Sequence, residues 1–120
     1  MIIDEHVHVV PEQAAEATKR YFEERTGYKL EFNFSIDDLL RVMGTTIDKA
    51  FINNIPAKAD IVLKANDWVA QEVRKHPDKL VGIFAPHPDM PDMAYQAERY
   101  VKEFGFKGIK INPSLQCLVV

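Results

Sequence analysis

A single cysteine, Cys117, stands in the 120-residue chain, so no internal disulfide is available and packing alone must hold the fold. No apolar run approaches the roughly 20 residues that a membrane-spanning helix needs. No charged-then-apolar leader precedes the first apolar stretch. Excess basic charge is missing as well: the net charge is −3, without a long lysine or arginine run. That argues against nucleic acid and against an anionic membrane surface as partners. Repeats, low-complexity tracts and flexible linkers are also lacking. What remains is one soluble globular domain with the cytoplasm as its simplest compartment. Its composition, 47% hydrophobic and 28% charged, is ordinary for a chain with a single core.

The organising stretch is the first, Met1–Pro11, MIIDEHVHVVP. β-Branched residues and a period of two predict a strand. Strict alternation then puts Asp4, His6 and His8 on one face and Glu5 and Val7 on the other. Two imidazoles two residues apart reach a single ion from the same side, and neutral imidazole suits zinc and other divalent first-row metals. Position adds weight, because α/β folds collect their chemistry at the carboxyl ends of their strands.

Beyond it, Pro11–Arg25 reads as a helix, with Pro11 in its first turn, Glu12 complementing the dipole and Thr26-Gly27 as its end. Tyr28–Phe34 alternates perfectly and predicts either an extra strand or an extended insertion covering the site. Ser35 with Asp38 forms an imperfect capping box for a second helix, whose expected buried face is Leu39, Leu40, Val42 and Met43, stopped at Gly44. Lys49–Ile55 is the next strand. Asp60–Lys75 is the strongest helical pattern, with Ile61, Ala65, Trp68, Val69, Glu72 and Val73 on its expected inner face. Leu80–Ala85 is a buried strand. Asp92–Phe104 is a helix with Met93, Ala97, Tyr100, Val101 and Phe104 inward, and Gly108–Asn112 is a fourth strand stopped by Pro113. Strands alternating with helices over short connections predict a parallel α/β fold: a (β/α) half-barrel, the first four strands of a TIM barrel.

Four stretches, IIDEHVHVVP, SIDDLLRVMGTTIDKAFINN, ANDWVAQEVRKHPDKLVGIFAP and AERYVKEFGFKGIKINPSLQ, carry a likeness. On them the sequence resembles the amino-terminal half of an amidohydrolase-related metal-dependent hydrolase, in the branch of aminocarboxymuconate-semialdehyde decarboxylase. The resemblance implies a (β/α)8 barrel with a divalent metal at the carboxyl ends of its strands, zinc first, with manganese or iron as alternatives. His6 and His8 correspond to the first two metal ligands. The later ligands of the superfamily come from strands beyond the fourth, and Asn112 stands where many relatives have histidine. Small organic acids, amides or lactones are the implied substrates.

Several other residues stay open between function and structure. Asp4 is expected either to orient a histidine or to bind the ion. Lys110 and Asn112, on the face opposite Ile109 and Ile111, are candidates for substrate contact, with a structural salt bridge as the alternative for Lys110. His87 either lines the pocket or sits in a solvated turn. Trp68 reads as core, and Cys117 has no histidine partner that would make it a nucleophile. A non-catalytic fragment or interaction subunit is the competing reading of the whole chain. The related His-x-His phosphoesterase barrels are disfavoured by Val9-Val10-Pro11 and GIKINPSLQ. Exposed strand edges, an inner face presenting Ile2, Val81 and Ile83, and the apolar tail Leu115–Val120 predict self-association. The expected product is a homodimer, either by sharing one barrel or by packing helices, or a larger homo-oligomer.

Overall fold

The computed structural model describes residues 1–56 and 58–113; the tail Leu115–Val120, with Cys117 in it, lies outside the described residues. Three strands, β1 (Ile3–His8), β2 (Lys49–Asn53) and β3 (Leu80–Gly82), form a parallel sheet in that order. Helices α1 (Glu12–Thr26) and α2 (Ile36–Met43) connect β1 to β2. A 3-10 turn, Ala59–Ile61, and helix α3 (Val62–Lys75) connect β2 to β3, and α4 (Met93–Phe104) follows β3. Parallel strands need long crossovers, and amphipathic helices supply them.

Cap chemistry explains the helix limits. The Ser35 hydroxyl accepts the Asp38 N–H at 3.1 Å, and Gly27 and Gly105 end α1 and α4 in the left-handed region. The core lies between the sheet and α2, α3 and α4. Ala50 and Ile52 of β2 are fully buried against Ile36, Met43, Val62 and Val69, with Phe84, Tyr100 and Phe106 beyond them. Tyr100 stacks on Phe84 at 4.9 Å and meets Phe106 at 5.2 Å between ring centroids. Phe106 in turn lies against the bare backbone of Gly82, where a Cβ would stand 2.4 Å from its ring. Only glycine fits there.

Four expectations change. The fourth strand is a single parallel bridge, Phe84 to Ile109. It is held by Phe84 N–H on the Gly108 carbonyl (2.9 Å) and Lys110 N–H on the Phe84 carbonyl (2.8 Å). Pro86 lacks the N–H group that the next rung of the ladder would donate to Lys110. Tyr28–Phe34 is not a strand. Leu30 N–H turns to Glu23 Oε1 at 2.7 Å, and Phe34, at φ 61°, takes a left-handed conformation unusual for an aromatic residue. Burial of the Phe34 ring and the bond from Val10 N–H to its carbonyl, 3.0 Å, hold it there. On α3 the inward stripe is Val62, Asn66, Val69, Ala70 and Glu72, leaving Ile61 exposed. Val42 on α2, and Met93 and Val101 on α4, also face outward.

The fourth change governs the site. Asp4 pairs with Ala50 but Val7 pairs with Ile52, so β1 carries a bulge between them. Cross-strand partners in a parallel ladder project to the same side. Asp4 and Val7 therefore share the helix-covered face of Ala50 and Ile52, while Ile3 and His8 share the opposite face with Lys49 and Asn53. Phe51 and Val81 pair on that same face. Ile3 takes the place expected of Ile2 there. Ile83 is buried, 9% exposed, instead of facing water.

Candidate metal centre

His6, within the bulge, and His8, after it, come together at the carboxyl end of β1. Their Nε2 atoms are 3.0 Å apart, and the rings meet edge to face with centroids 4.7 Å apart. His6 is exposed and His8 half-buried. Burial, then the neighbouring His6 and, more weakly, Lys110 lower the His8 pKa to about 4, while its hydrogen bond to Asn53 acts in the other direction. His8 is therefore neutral at pH 7, the form that ligates a metal.

This donor pair fits a transition metal. Two imidazole nitrogens 3.0 Å apart both lie within reach of one ion at metal–nitrogen distances of about 2.1 Å. Among the described residues, no group of three or more His, Cys, Asp or Glu surrounds such a position. The described residues thus offer two candidate ligands, where a catalytic zinc site commonly takes about three.

The residues singled out in the sequence separate as follows. Lys110, half-buried beyond the Phe84 bridge, lies close enough to disfavour charge on His8 weakly. Asn112, two residues on, is half-buried. His87 is buried, and its Nδ1 accepts the Asp89 N–H at 3.2 Å with the Asp89 carboxylate 3.8 Å away. It is not a solvated turn residue. Asp4 is a correction: the bulge puts it on the other face, and its Oδ1 accepts the His6 backbone N–H at 3.1 Å. The group that touches an imidazole nitrogen is instead Asn53, 1% exposed, whose Oδ1 is 2.8 Å from His8 Nδ1. Sequence reading passed over it, although a polar residue closing the apolar run of a parallel strand was the available signal.

Beside His8 opens a cavity of about 580 Å³ between α1 and the start of α3. Its wall is mostly apolar, including Val9, Tyr21, Phe22, Phe34 and Trp68, with Lys64 and Asn54 among the polar groups. Trp68 packs against the core, as expected, and also forms part of this wall. His87, Lys110 and Asn112 do not contribute to it.

A parallel sheet with helices on one face and convergent imidazoles at the carboxyl end of its first strand defines part of a (β/α) barrel with a candidate two-histidine site. The chain belongs to the amidohydrolase family, whose model matches residues 3–117. Among solved structures it is similar to 2,6-dihydroxybenzoate decarboxylase from Rhizobium, with a TM-score of 0.66 and 23% identity over 92% of this chain and 38% of that one. It is also similar to a dihydroxybenzoic acid decarboxylase from a Polaromonas species with bound manganese and the inhibitor 2-nitroresorcinol (TM-score 0.65, 24% identity, 92% and 38% covered). A third similar structure is 5-carboxyvanillate decarboxylase from Novosphingobium aromaticivorans with bound manganese (TM-score 0.67, 21% identity, 93% and 42% covered). Likeness at these identities establishes the shared partial barrel. The chain spans about two-fifths of the length of these proteins, 38% to 42%. No curated protein matches it by sequence. Among the described residues, no helix is long and apolar enough to cross a membrane.

Proposed function

We propose that the chain carries the first two metal ligands of a metal-dependent hydrolase or decarboxylase of amidohydrolase type, acting on a small organic acid, amide or lactone. The observation that carries this reading is the 3.0 Å approach of His6 Nε2 to His8 Nε2 at the carboxyl end of β1. Family membership supports it. The decarboxylase neighbours favour an organic acid as substrate, and the bound manganese in two of them favours manganese ahead of the zinc expected from imidazole chemistry.

When bound, the ion would polarise a substrate oxygen or acidify a water toward a pKa of about 7. The protein's own contributions are of other kinds. Neutral His8 and the adjacent His6 offer two nitrogen donors from one strand. The Lys110 ammonium supplies positive charge on the same side, suited to an anionic substrate. The apolar cavity accepts a hydrophobic body and excludes water from it, and Lys64 offers a second cationic contact in its wall. The competing reading, a non-catalytic interaction fragment, draws on the two-ligand count.

Titration of the metal-free chain with Mn²⁺ and Zn²⁺ against a competing chelating dye separates the readings. Binding of one ion per His6/His8 pair is expected. Each single variant, His6→Ala or His8→Ala, should weaken it at least about tenfold, as loss of one of few ligands demands. Equal binding by wild type and the double variant would refute the assignment.

A further inference from the structure

Asn53 is tied to β1 by both its backbone and its side chain. It pairs with His8 across the ladder, and its carbonyl accepts the Val9 N–H at 3.1 Å. Its side-chain amide lies between two groups of β1: the nitrogen is 3.3 Å from the Val7 carbonyl oxygen and the oxygen 2.8 Å from His8 Nδ1.

The chemistry of these neighbours orders the whole network. A carbonyl oxygen only accepts, so the Asn53 NH2 must face Val7. That leaves the Asn53 oxygen facing the imidazole, and an amide oxygen also only accepts. His8 Nδ1 must then carry a proton, and in a neutral ring the lone pair falls on Nε2, which points at His6 Nε2 3.0 Å away. The remaining bond closes consistently, with His6 Nε2–H donating to His8 Nε2. Every polar atom in the chain from the Val7 carbonyl to His6 has one compatible role.

We propose that Asn53 is a positioning residue that fixes the Nδ1–H tautomer of His8 and thereby aims its Nε2 lone pair into the space shared with His6. The chemical ligand of that lone pair rests on the metal-site reading above; the tautomer does not. A carboxylate or amide behind a ligating imidazole sets its orientation and basicity, and losing it costs about 10–100-fold in metal affinity.

The test uses the metal-free chain uniformly labelled with ¹⁵N, with two-bond ¹H–¹⁵N correlation of the imidazole rings at neutral pH. Wild type should show His8 protonated on Nδ1. Asn53→Asp retains an acceptor and should retain that tautomer. Asn53→Leu removes the acceptor and should shift His8 to a mixture or to the Nε2–H form, as well as lowering Mn²⁺ affinity about 10–100-fold. Amide spectra establish that each variant is folded. An Nε2–H tautomer in wild type overturns the proposal, and so does an unchanged His8 ring in folded Asn53→Leu. If the tautomer follows residue 53 while the wild type binds neither Mn²⁺ nor Zn²⁺, the positioning role stands and the metal reading falls.

Discussion

Held as a monomer, the chain is expected to turn over no amide, lactone or aromatic acid above the uncatalysed rate, even with saturating Mn²⁺ or Zn²⁺. Two imidazoles are the candidate ligands, and the described residues contain no third His, Cys, Asp or Glu grouped with them. A metal held by two protein ligands binds weakly and lacks the fixed coordination that makes it a catalyst. Among the described residues no further carboxylate or imidazole is grouped with the pair to serve as a general base. The sheet also leaves the side of β1 away from β2 unpaired among the described residues, with Ile3 45% exposed on the face opposite the helices. Self-association as a homodimer would cover that face. Burying about 400 Å² of apolar surface is worth about 10 kcal/mol before association costs. The check is sedimentation equilibrium across a hundredfold dilution, paired with assays at each concentration. Any activity should follow the associated species, and robust turnover by a verified monomer that disappears in His6→Ala would contradict the account.

The second large effect is expected at Asn66. This side chain, fully buried on α3, donates from Nδ2 to the carbonyls of Val62 (2.8 Å) and Ala85 (2.9 Å) and accepts the Ala85 N–H at 2.9 Å. It substitutes for a neighbouring strand at Ala85, just past β3, where the chain turns into the buried Pro86-His87 loop. Asn66→Leu keeps the volume but leaves both backbone groups of Ala85, 1% exposed, without partners. Each such loss costs about 1–3 kcal/mol, so a destabilisation of about 3–4 kcal/mol is expected. Urea unfolding followed by circular dichroism measures it. A loss below about 1 kcal/mol would mean that the α3–β3 junction is held by apolar packing alone.

Asn66 also marks where sequence reading fell short. The α3 pattern is helical from Ala65, Trp68, Val69 and Val73, but the real stripe is offset because a polar residue is buried at its centre. A polar residue counts against burial until its partner is known, and that partner is the Ala85 backbone, 19 residues away. Elements marked by local chemistry were legible. Ser35 caps α2, Gly44 and Gly105 close α2 and α4, and the strands expected at the start of the chain and from Lys49 are β1 and β2. The His6/His8 pair was legible too, since a spacing of two brings both rings to one side of a strand, and the bulge breaks the alternation before His6 rather than between the two histidines. Asp4 was misplaced because a bulge belongs to the pairing of two strands, and the Asp4–Val7 sequence alone does not carry it. The alternation of Tyr28–Phe34 lacked a strand to pair with, and its aromatics instead cluster, Phe34 with Phe22 and Phe32 at 5.4 and 5.1 Å.

The central claim is that His6 and His8 hold one ion between them. Crystals of the chain grown with Mn²⁺ and measured at the manganese absorption edge test it most directly. The account predicts an anomalous peak about 2.1–2.2 Å from both Nε2 atoms. A peak bound by neither imidazole, or none near them at full metal saturation, would contradict it.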